Sequence, residues 1–134
     1  MPIIMPDDLE NIARVLLVCS GASEQEAEIV ARHSIKSNLA GHDSHGIIQI
    51  PTYIDRVKRG HIVPGAGYDV VKDTPTTTVV DGHWGFGYVV TERTMMTTIE
   101  KAKSSNVAAA TVYRQSHIGR LGAYSTMAAN EDMI

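Results

Sequence analysis

The chain has 134 residues, 43% of them hydrophobic, so it can bury a core and is neither a disordered tail nor a fibrous repeat. Its net charge of −3 gives no electrostatic reason to expect binding to nucleic acid or to an anionic membrane. A single Cys excludes an internal disulfide framework and a cysteine-based zinc site. With no signal peptide and no apolar run that could cross a bilayer, we expect a soluble, cytoplasmic protein.

Three helices are predicted in the first half of the chain. Asp7 and Glu10 have the spacing of a capping box, and Ser23 to Glu26 form a complete S-x-x-E box. A third helix is predicted to begin at Pro51 and to end at Gly60. From helical spacing, the buried stripes of the first two helices are predicted to be Leu9, Ile12, Ala13, Leu16 and Leu17, and Ala27, Val30, Ala31, Ile35 and Leu39.

The hydrophobic period changes after a connector rich in Gly and Pro at 62–67. The second half is predicted to be β-β-α-β-α, with a hairpin (68–72 and 76–80), a glycine-rich loop (82–87), a helix (89–103), a buried strand (107–113) and a helix from about 119. Trp84, Phe86 and three methionines are predicted to fill the core, the methionines being Met95, Met96 and Met127.

The predicted fold class is therefore α+β, with a helical domain at 1–66 followed by the start of an α/β domain at 67–134. The last residues have the pattern of a helix end, a polar turn and the first two residues of a strand, Met133 and Ile134. A small sheet whose edge strand lacks a pairing partner is only marginally stable, so we expect this chain to be the N-terminal part of a longer protein.

The first polar constellation is Gly41-His42-Asp43-Ser44-His45-Gly46. It does not fit the G-x-S-x-G elbow of a hydrolase, because Gly41 lies three residues before Ser44. Three interpretations stay open: a metal site using His42, Asp43 and His45, a proton-transferring imidazole at His45, and a helix cap facing water. No further metal ligand is apparent at a suitable spacing, so no metal is predicted.

The second constellation, Ser116 to Gly122, follows a predicted strand and leads into a helix. Free backbone N–H groups and the positive end of a helix dipole favour anions at such a junction, and Arg120 adds a bidentate donor. An ordinary strand-to-helix turn is the alternative. A third set of glycines, Gly82, Gly85 and Gly87, has the reverse order of the dinucleotide fingerprint and is interpreted as a packing feature.

Taken together, these segments resemble the malate/L-lactate dehydrogenase family of the second type, which is unrelated in fold to the Rossmann lactate and malate dehydrogenases. The resemblance rests on Gly41-His42-Asp43-Ser44-His45-Gly46 leading into Pro51-x-Tyr53, on Val80-Asp81-Gly82-x-x-Gly85-Phe86-Gly87, and on Ser116-His117-Ile118-Gly119-Arg120-Leu121-Gly122-x-Tyr124. These motifs occur in the right order and spacing over nearly the whole chain. Family members are much longer than this chain, in agreement with the expected incomplete ending.

The resemblance implies an NAD- or NADP-dependent oxidoreductase that interconverts a 2-hydroxy acid and its 2-oxo acid, in a homodimer with a non-Rossmann α/β cofactor domain. By matching position, Ser44 and His45 resemble the family's Ser–His pair, with His45 as proton donor. His117 is treated as catalytic in some members, and the matching cofactor-binding segment is His117, Ile118, Gly119, Arg120 and Leu121. The resemblance also implies an Asp that joins the Ser–His pair in a proton relay, and this Asp is expected beyond Ile134.

One departure from the family affects the substrate. Many relatives have an Arg that grips the substrate carboxylate where this chain has Gln49. A neutral amide cannot make that charge-assisted contact, so Arg120 or a basic residue beyond the chain end replaces it, or the substrate differs. Gln49 and Arg120 are therefore the candidate substrate-binding residues.

Two alternatives to the hydroxy-acid dehydrogenase stay open. One is a cyclic imino-acid reductase of the same family, and the other is a non-enzymatic helical binding module. We expect the 134-residue chain alone to be inactive as a dehydrogenase, because half of the expected cofactor domain is missing.

Overall fold

The computed structural model describes residues 3–134, which contain five α-helices and three β-strands. In chain order these are α1 (Pro6–Cys19), α2 (Glu24–Leu39), α3 (Ile50–Lys58), β1 (Asp69–Asp73), β2 (Thr77–Gly85), α4 (Gly87–Ser105), β3 (Ala109–Gln115) and α5 (Gly122–Ala129). Two short 3-10 turns, Asp43–His45 and Ile47–Gln49, join α2 to α3. Among the described residues, none of the helices combines the length and apolar character needed to cross a bilayer.

The three strands form one mixed sheet in the order β1-β2-β3. β1 and β2 pair antiparallel, with Val70 opposite Val80, which confirms the predicted hairpin. β3 pairs parallel to β2, with Val112 opposite Val80. Parallel neighbours need a crossover connection, and α4 provides it. The α+β fold class predicted from the sequence is thus confirmed.

The first two helices begin in different ways. α1 begins at Pro6 with no side-chain cap, so the prediction of a capping box at Asp7 is wrong. A proline in the first turn has φ already set for a helix and lacks one of the N–H groups that a cap would satisfy. The box at the start of α2 is confirmed, because Glu26 N–H donates to Ser23 Oγ at 3.2 Å and Ser23 N–H donates to Glu26 Oε2 at 2.9 Å.

One buried core joins the two halves of the chain. It combines residues of the three N-terminal helices and of the segments after α1 and α3 with two from the start of α4: Ala13, Leu17, Ala22, Ala27, Val30, Ala31, Ile50, Tyr53, Ile62, Phe86 and Tyr88. The other carboxylate oxygen of Glu26 accepts a hydrogen bond from Gly65 N–H at 2.8 Å, which ties the connector to α2. The first turn of α4 is therefore held directly against the helical layer.

Several apolar residues predicted to be inside are exposed. Ile12 and Leu16 of α1 are 47% and 46% exposed, Leu39 is 69% exposed, and Met96 is 57% exposed. Helical spacing identifies an apolar stripe, but the width of the stripe that is covered depends on the neighbouring elements. α1 buries only Ala13 and Leu17.

The sheet departs from the sequence prediction in three places. Residues 82–85 belong to β2 instead of a loop, and a register shift after Asp81 leaves Trp84 51% exposed, whereas Phe86 is 2% exposed. Trp84 is therefore not a core residue. β3 is one of the sheet's two edge strands and is largely exposed, so its apolar sequence did not indicate burial here. Residues 133–134 lie outside any strand.

Candidate functional site

The loop after α2 is held by the side chain of Asn38. Its Oδ1 accepts from Ile47 N–H at 2.8 Å, and its Nδ2 donates to the carboxylate of Asp43. Gly46 leaves room for this amide, since a Cβ at that position would lie 2.1 Å from Asn38 Oδ1. The glycine and the asparagine together fix the turn that carries His45.

Within this turn, Ser44 and His45 are hydrogen-bonded to each other. Ser44 Oγ lies 2.9 Å from His45 Nδ1, and the Gln49 amide donates to the Ser44 carbonyl at 2.8 Å. The Ser44 side chain therefore engages one nitrogen of His45 and leaves the other available to a ligand. Within residues 3–134, no three His, Cys, Asp or Glu side chains are grouped in a way that could hold a metal ion.

His117 lies beside His45, although the two are far apart in sequence. Their ring centroids are 5.6 Å apart, with the planes inclined by 32°. His117 follows the carboxyl end of β3, the usual side for ligands in sheets with parallel strands. Burial lowers the pKa of His117, and the charges of His45 and Arg56 add to the effect, so the neutral imidazole is favoured.

Two buried tyrosines that the sequence analysis did not assign to the site connect these histidines. Tyr53 Oη lies 2.8 Å from His117 Nδ1 and 3.0 Å from Tyr88 Oη. Tyr88 Oη in turn donates to the His45 carbonyl at 3.5 Å. Burial raises the pKa of both phenols, so each keeps its proton at neutral pH. The only sequence signal was the inward position of Tyr53 within the Pro51-x-Tyr53 motif.

The segment between β3 and α5 presents free backbone donors. The N–H groups of 117–121 donate to no acceptor within residues 3–134. The Tyr124 hydroxyl donates to the Ile118 carbonyl at 2.7 Å and fixes the segment from the other side. Gly119 has a φ of +73°, and a Cβ there would lie 2.2 Å from the Tyr88 ring, so this position requires glycine. Leu121 is 68% exposed.

Arg120 lies in a different cavity from the histidine pair. It lines a groove of about 770 Å³ between α2, α4 and α5, and the residues lining that groove include neither His45 nor His117. Its Nε is buried and has no hydrogen-bond partner among the described residues. The structure thus brings together Ser44, His45, Gln49 and His117 but not Arg120, whose contact with a substrate carboxylate stays a prediction.

A partly buried ion-pair cluster of Arg32, His33 and Glu92 lines this groove. His33 Nε2 lies 2.6 Å from Glu92, and Arg32 binds both oxygens of the same carboxylate at 2.8 Å. The hydrogen bond from His33, followed by the interactions with Arg32, lowers the pKa of the Glu92 carboxyl. The His33 ring also contacts the rings of Tyr88 and Tyr124 at 5.4 and 5.5 Å. His33 therefore packs against both tyrosine rings on the side that faces the groove.

Comparison with known proteins identifies the family of this chain. A family model described as malate/L-lactate dehydrogenase matches residues 4–134. The L-sulfolactate dehydrogenase of Methanocaldococcus jannaschii is 36% identical over 132 residues, covering 98% of this chain and 38% of that protein. Hydroxycarboxylate dehydrogenase B of Escherichia coli O157:H7 is 40% identical over 109 residues, covering 81% of this chain and 30% of that protein.

Solved structures show the same relationship. The sulfolactate dehydrogenase structure from Methanocaldococcus jannaschii superposes with a TM-score of 0.95 at 35% identity, covering 98% of this chain and 38% of that one. The chain thus spans 38% of the length of the Methanocaldococcus jannaschii relative and 30% of that of the Escherichia coli relative, while 98% and 81% of its own length are aligned. It belongs to the malate/L-lactate dehydrogenase family.

Proposed function

We propose that the whole protein is an oxidoreductase that uses NAD or NADP to interconvert a 2-hydroxy acid and its 2-oxo acid. The observation that carries the proposal is the pairing of His45, already hydrogen-bonded to Ser44, with His117 at a centroid distance of 5.6 Å. The names of the relatives, which are sulfolactate and hydroxycarboxylate dehydrogenases, support the same class of reaction.

In this proposal His45 is the proton donor and Ser44 orients it. When His45 is an imidazolium, Ser44 Oγ at 2.9 Å accepts the Nδ1–H bond, and Nε2–H is free to donate. Reduction of a carbonyl develops negative charge on its oxygen, and a proton from Nε2 neutralises that charge. In the reverse direction the neutral imidazole takes the proton from the hydroxyl. The nicotinamide cofactor supplies the hydride when bound.

The segment 117–121 has features that fit a dinucleotide. Its N–H groups, which have no acceptor within residues 3–134 and lie next to the first turn of α5, suit phosphate or carboxamide oxygens. The buried Nε of Arg120 lacks an acceptor within residues 3–134, which also suits an anionic group. We propose that His117, Ile118, Gly119, Arg120 and Leu121 hold the cofactor. A homodimer in the cytoplasm is part of the same proposal.

Gln49 leaves the contact to the substrate carboxylate unassigned. Its amide is neutral and donates to the Ser44 carbonyl, so it does not replace the arginine that many relatives use for the substrate carboxylate. A cyclic imino acid carries the same carboxylate, so Gln49 does not discriminate between the two substrates. The imino acid is retained as an alternative because an imine nitrogen can receive a proton from His45 as a carbonyl oxygen does.

A substrate panel tests the proposal. Oxidation of NADH and of NADPH by the whole protein is followed spectrophotometrically with oxaloacetate, pyruvate, sulfopyruvate and a cyclic imino acid. We expect turnover with at least one of the three 2-oxo acids. Turnover with the imino acid alone would replace the dehydrogenase with an imine reductase, and no turnover with any of the four would favour the binding module.

A further inference from the structure

Two buried phenols form a continuous hydrogen-bond chain between the two histidines of the site. The chain runs from His117 Nδ1 to Tyr53 Oη at 2.8 Å, to Tyr88 Oη at 3.0 Å, and to the His45 carbonyl at 3.5 Å. Tyr53 and Tyr88 are 2% and 1% exposed, so bulk water does not compete for their hydroxyls. Each hydroxyl has a single proton to donate.

The acceptor at the Tyr88 end sets the direction of the chain. The His45 carbonyl can only accept a hydrogen bond, so Tyr88 donates its proton to it. The Tyr88 oxygen is then available to accept the proton of Tyr53.

With that direction, the Tyr53 oxygen has to accept its hydrogen bond from Nδ1–H of His117. All three hydrogen bonds of the chain are then made. In the reverse direction Tyr88 would donate to Tyr53 and Tyr53 to His117, leaving the His45 carbonyl without its phenol donor. Only two of the three hydrogen bonds would then form.

We propose that Tyr53 is a positioning residue that fixes His117 as the Nδ1–H tautomer and leaves Nε2 as a hydrogen-bond acceptor. The buried environment that lowers the pKa of His117 agrees with a neutral ring. The consequence for catalysis rests on the proposed function: His45 donates a proton, while His117 accepts a hydrogen bond from an amide N–H or a hydroxyl of the bound ligand.

The tautomer is measured directly by nitrogen-15 NMR of the histidine rings in the whole protein without ligand, near neutral pH. A His117→Asn variant identifies the His117 signals. We expect a protonated Nδ1 and an unprotonated Nε2. A proton on Nε2 in the unmodified protein would overturn the proposal.

Two isosteric variants test the direction of the chain. Tyr88→Phe removes the acceptor of the Tyr53 proton, so Tyr53 should turn to donate to Nδ1, and His117 should switch to the Nε2–H tautomer. Tyr53→Phe removes the partner altogether, and the His117 signals should move to those of a tautomer mixture. The matched control is Tyr113→Phe, which alters a 41% exposed phenol on β3 and should leave the signals unchanged. An unchanged spectrum in folded Tyr53→Phe would contradict the positioning role.

Turnover separates this inference from the proposed function. We expect Tyr53→Phe to lower kcat by about 10- to 100-fold through misplacement of the ring. If His117 has the Nδ1–H tautomer but the protein turns over none of the substrates, the proposed function is wrong and the inference stands. If the enzyme is active and His117 has the Nε2–H tautomer, the inference alone is wrong.

Discussion

Replacing His45 with alanine should lower kcat for 2-oxo acid reduction by about 10²- to 10⁴-fold, the usual contribution of a general acid. The imidazole is removed from its position 2.9 Å from Ser44 Oγ, and with it the proton that the proposal delivers to the carbonyl oxygen. Steady-state kinetics of the whole protein measure this loss, with the free energy of unfolding confirming that the variant is folded.

The matched control is His42→Ala. His42 is exposed, and its ring centroid lies 6.4 Å from that of His45, so this variant removes a histidine from the same loop without touching the Ser44–His45 hydrogen bond. It should keep nearly full activity. If His45→Ala keeps turnover as well, the proton-donor role is wrong.

Replacing Gly87 with alanine should lower the free energy of unfolding by about 3 kcal/mol, at the upper end of the range for overpacked positions. A Cβ at this first residue of α4 would lie 2.3 Å from the Ser116 carbonyl oxygen and 2.5 Å from that of His117. These are backbone atoms of the segment that follows β3, so relief requires moving α4 or the segment that carries His117. Urea denaturation measures the change.

Gly122→Ala is the control for this prediction. Its Cβ would lie 2.7 Å from Arg120 Nη1, the far end of a flexible side chain that can move away. Alanine also favours a helix over glycine at the start of α5. We expect little change or a small gain in stability. A loss equal to that of Gly87→Ala would contradict the distinction between backbone and side-chain clashes.

The parts of the fold that depend on neighbours in sequence were predictable. The Ser23 box contains both partners within four residues, and the hairpin is a local pairing. Burial was less predictable, because the exposure of Leu16 and of β3 depends on which elements cover them. The bulge that exposes Trp84 depends on positive φ values at His83 and Trp84, which are uncommon for residues other than glycine.

The site was predictable in part for a similar reason. Ser44 and His45 are adjacent in a short polar segment, so the sequence alone identified them as candidates. His117 was assigned to the site by the family resemblance. The distance between the two histidines needs the whole fold, because α3 and α4 each contribute a tyrosine between them. Tyr53 has the helical spacing of a core residue, and only its hydroxyl contacts distinguish it from one. The placement of Arg120 in a separate groove likewise depends on the packing of α5.

The most direct test of the account is to follow deuterium from the C4 position of deuterated NADH or NADPH during reduction of the 2-oxo acid that the panel identifies. We predict one deuterium at C2 of the hydroxy-acid product, detected by mass spectrometry and proton NMR. Product without deuterium at C2, with either face of the cofactor labelled, would contradict hydride transfer at the His45–His117 site.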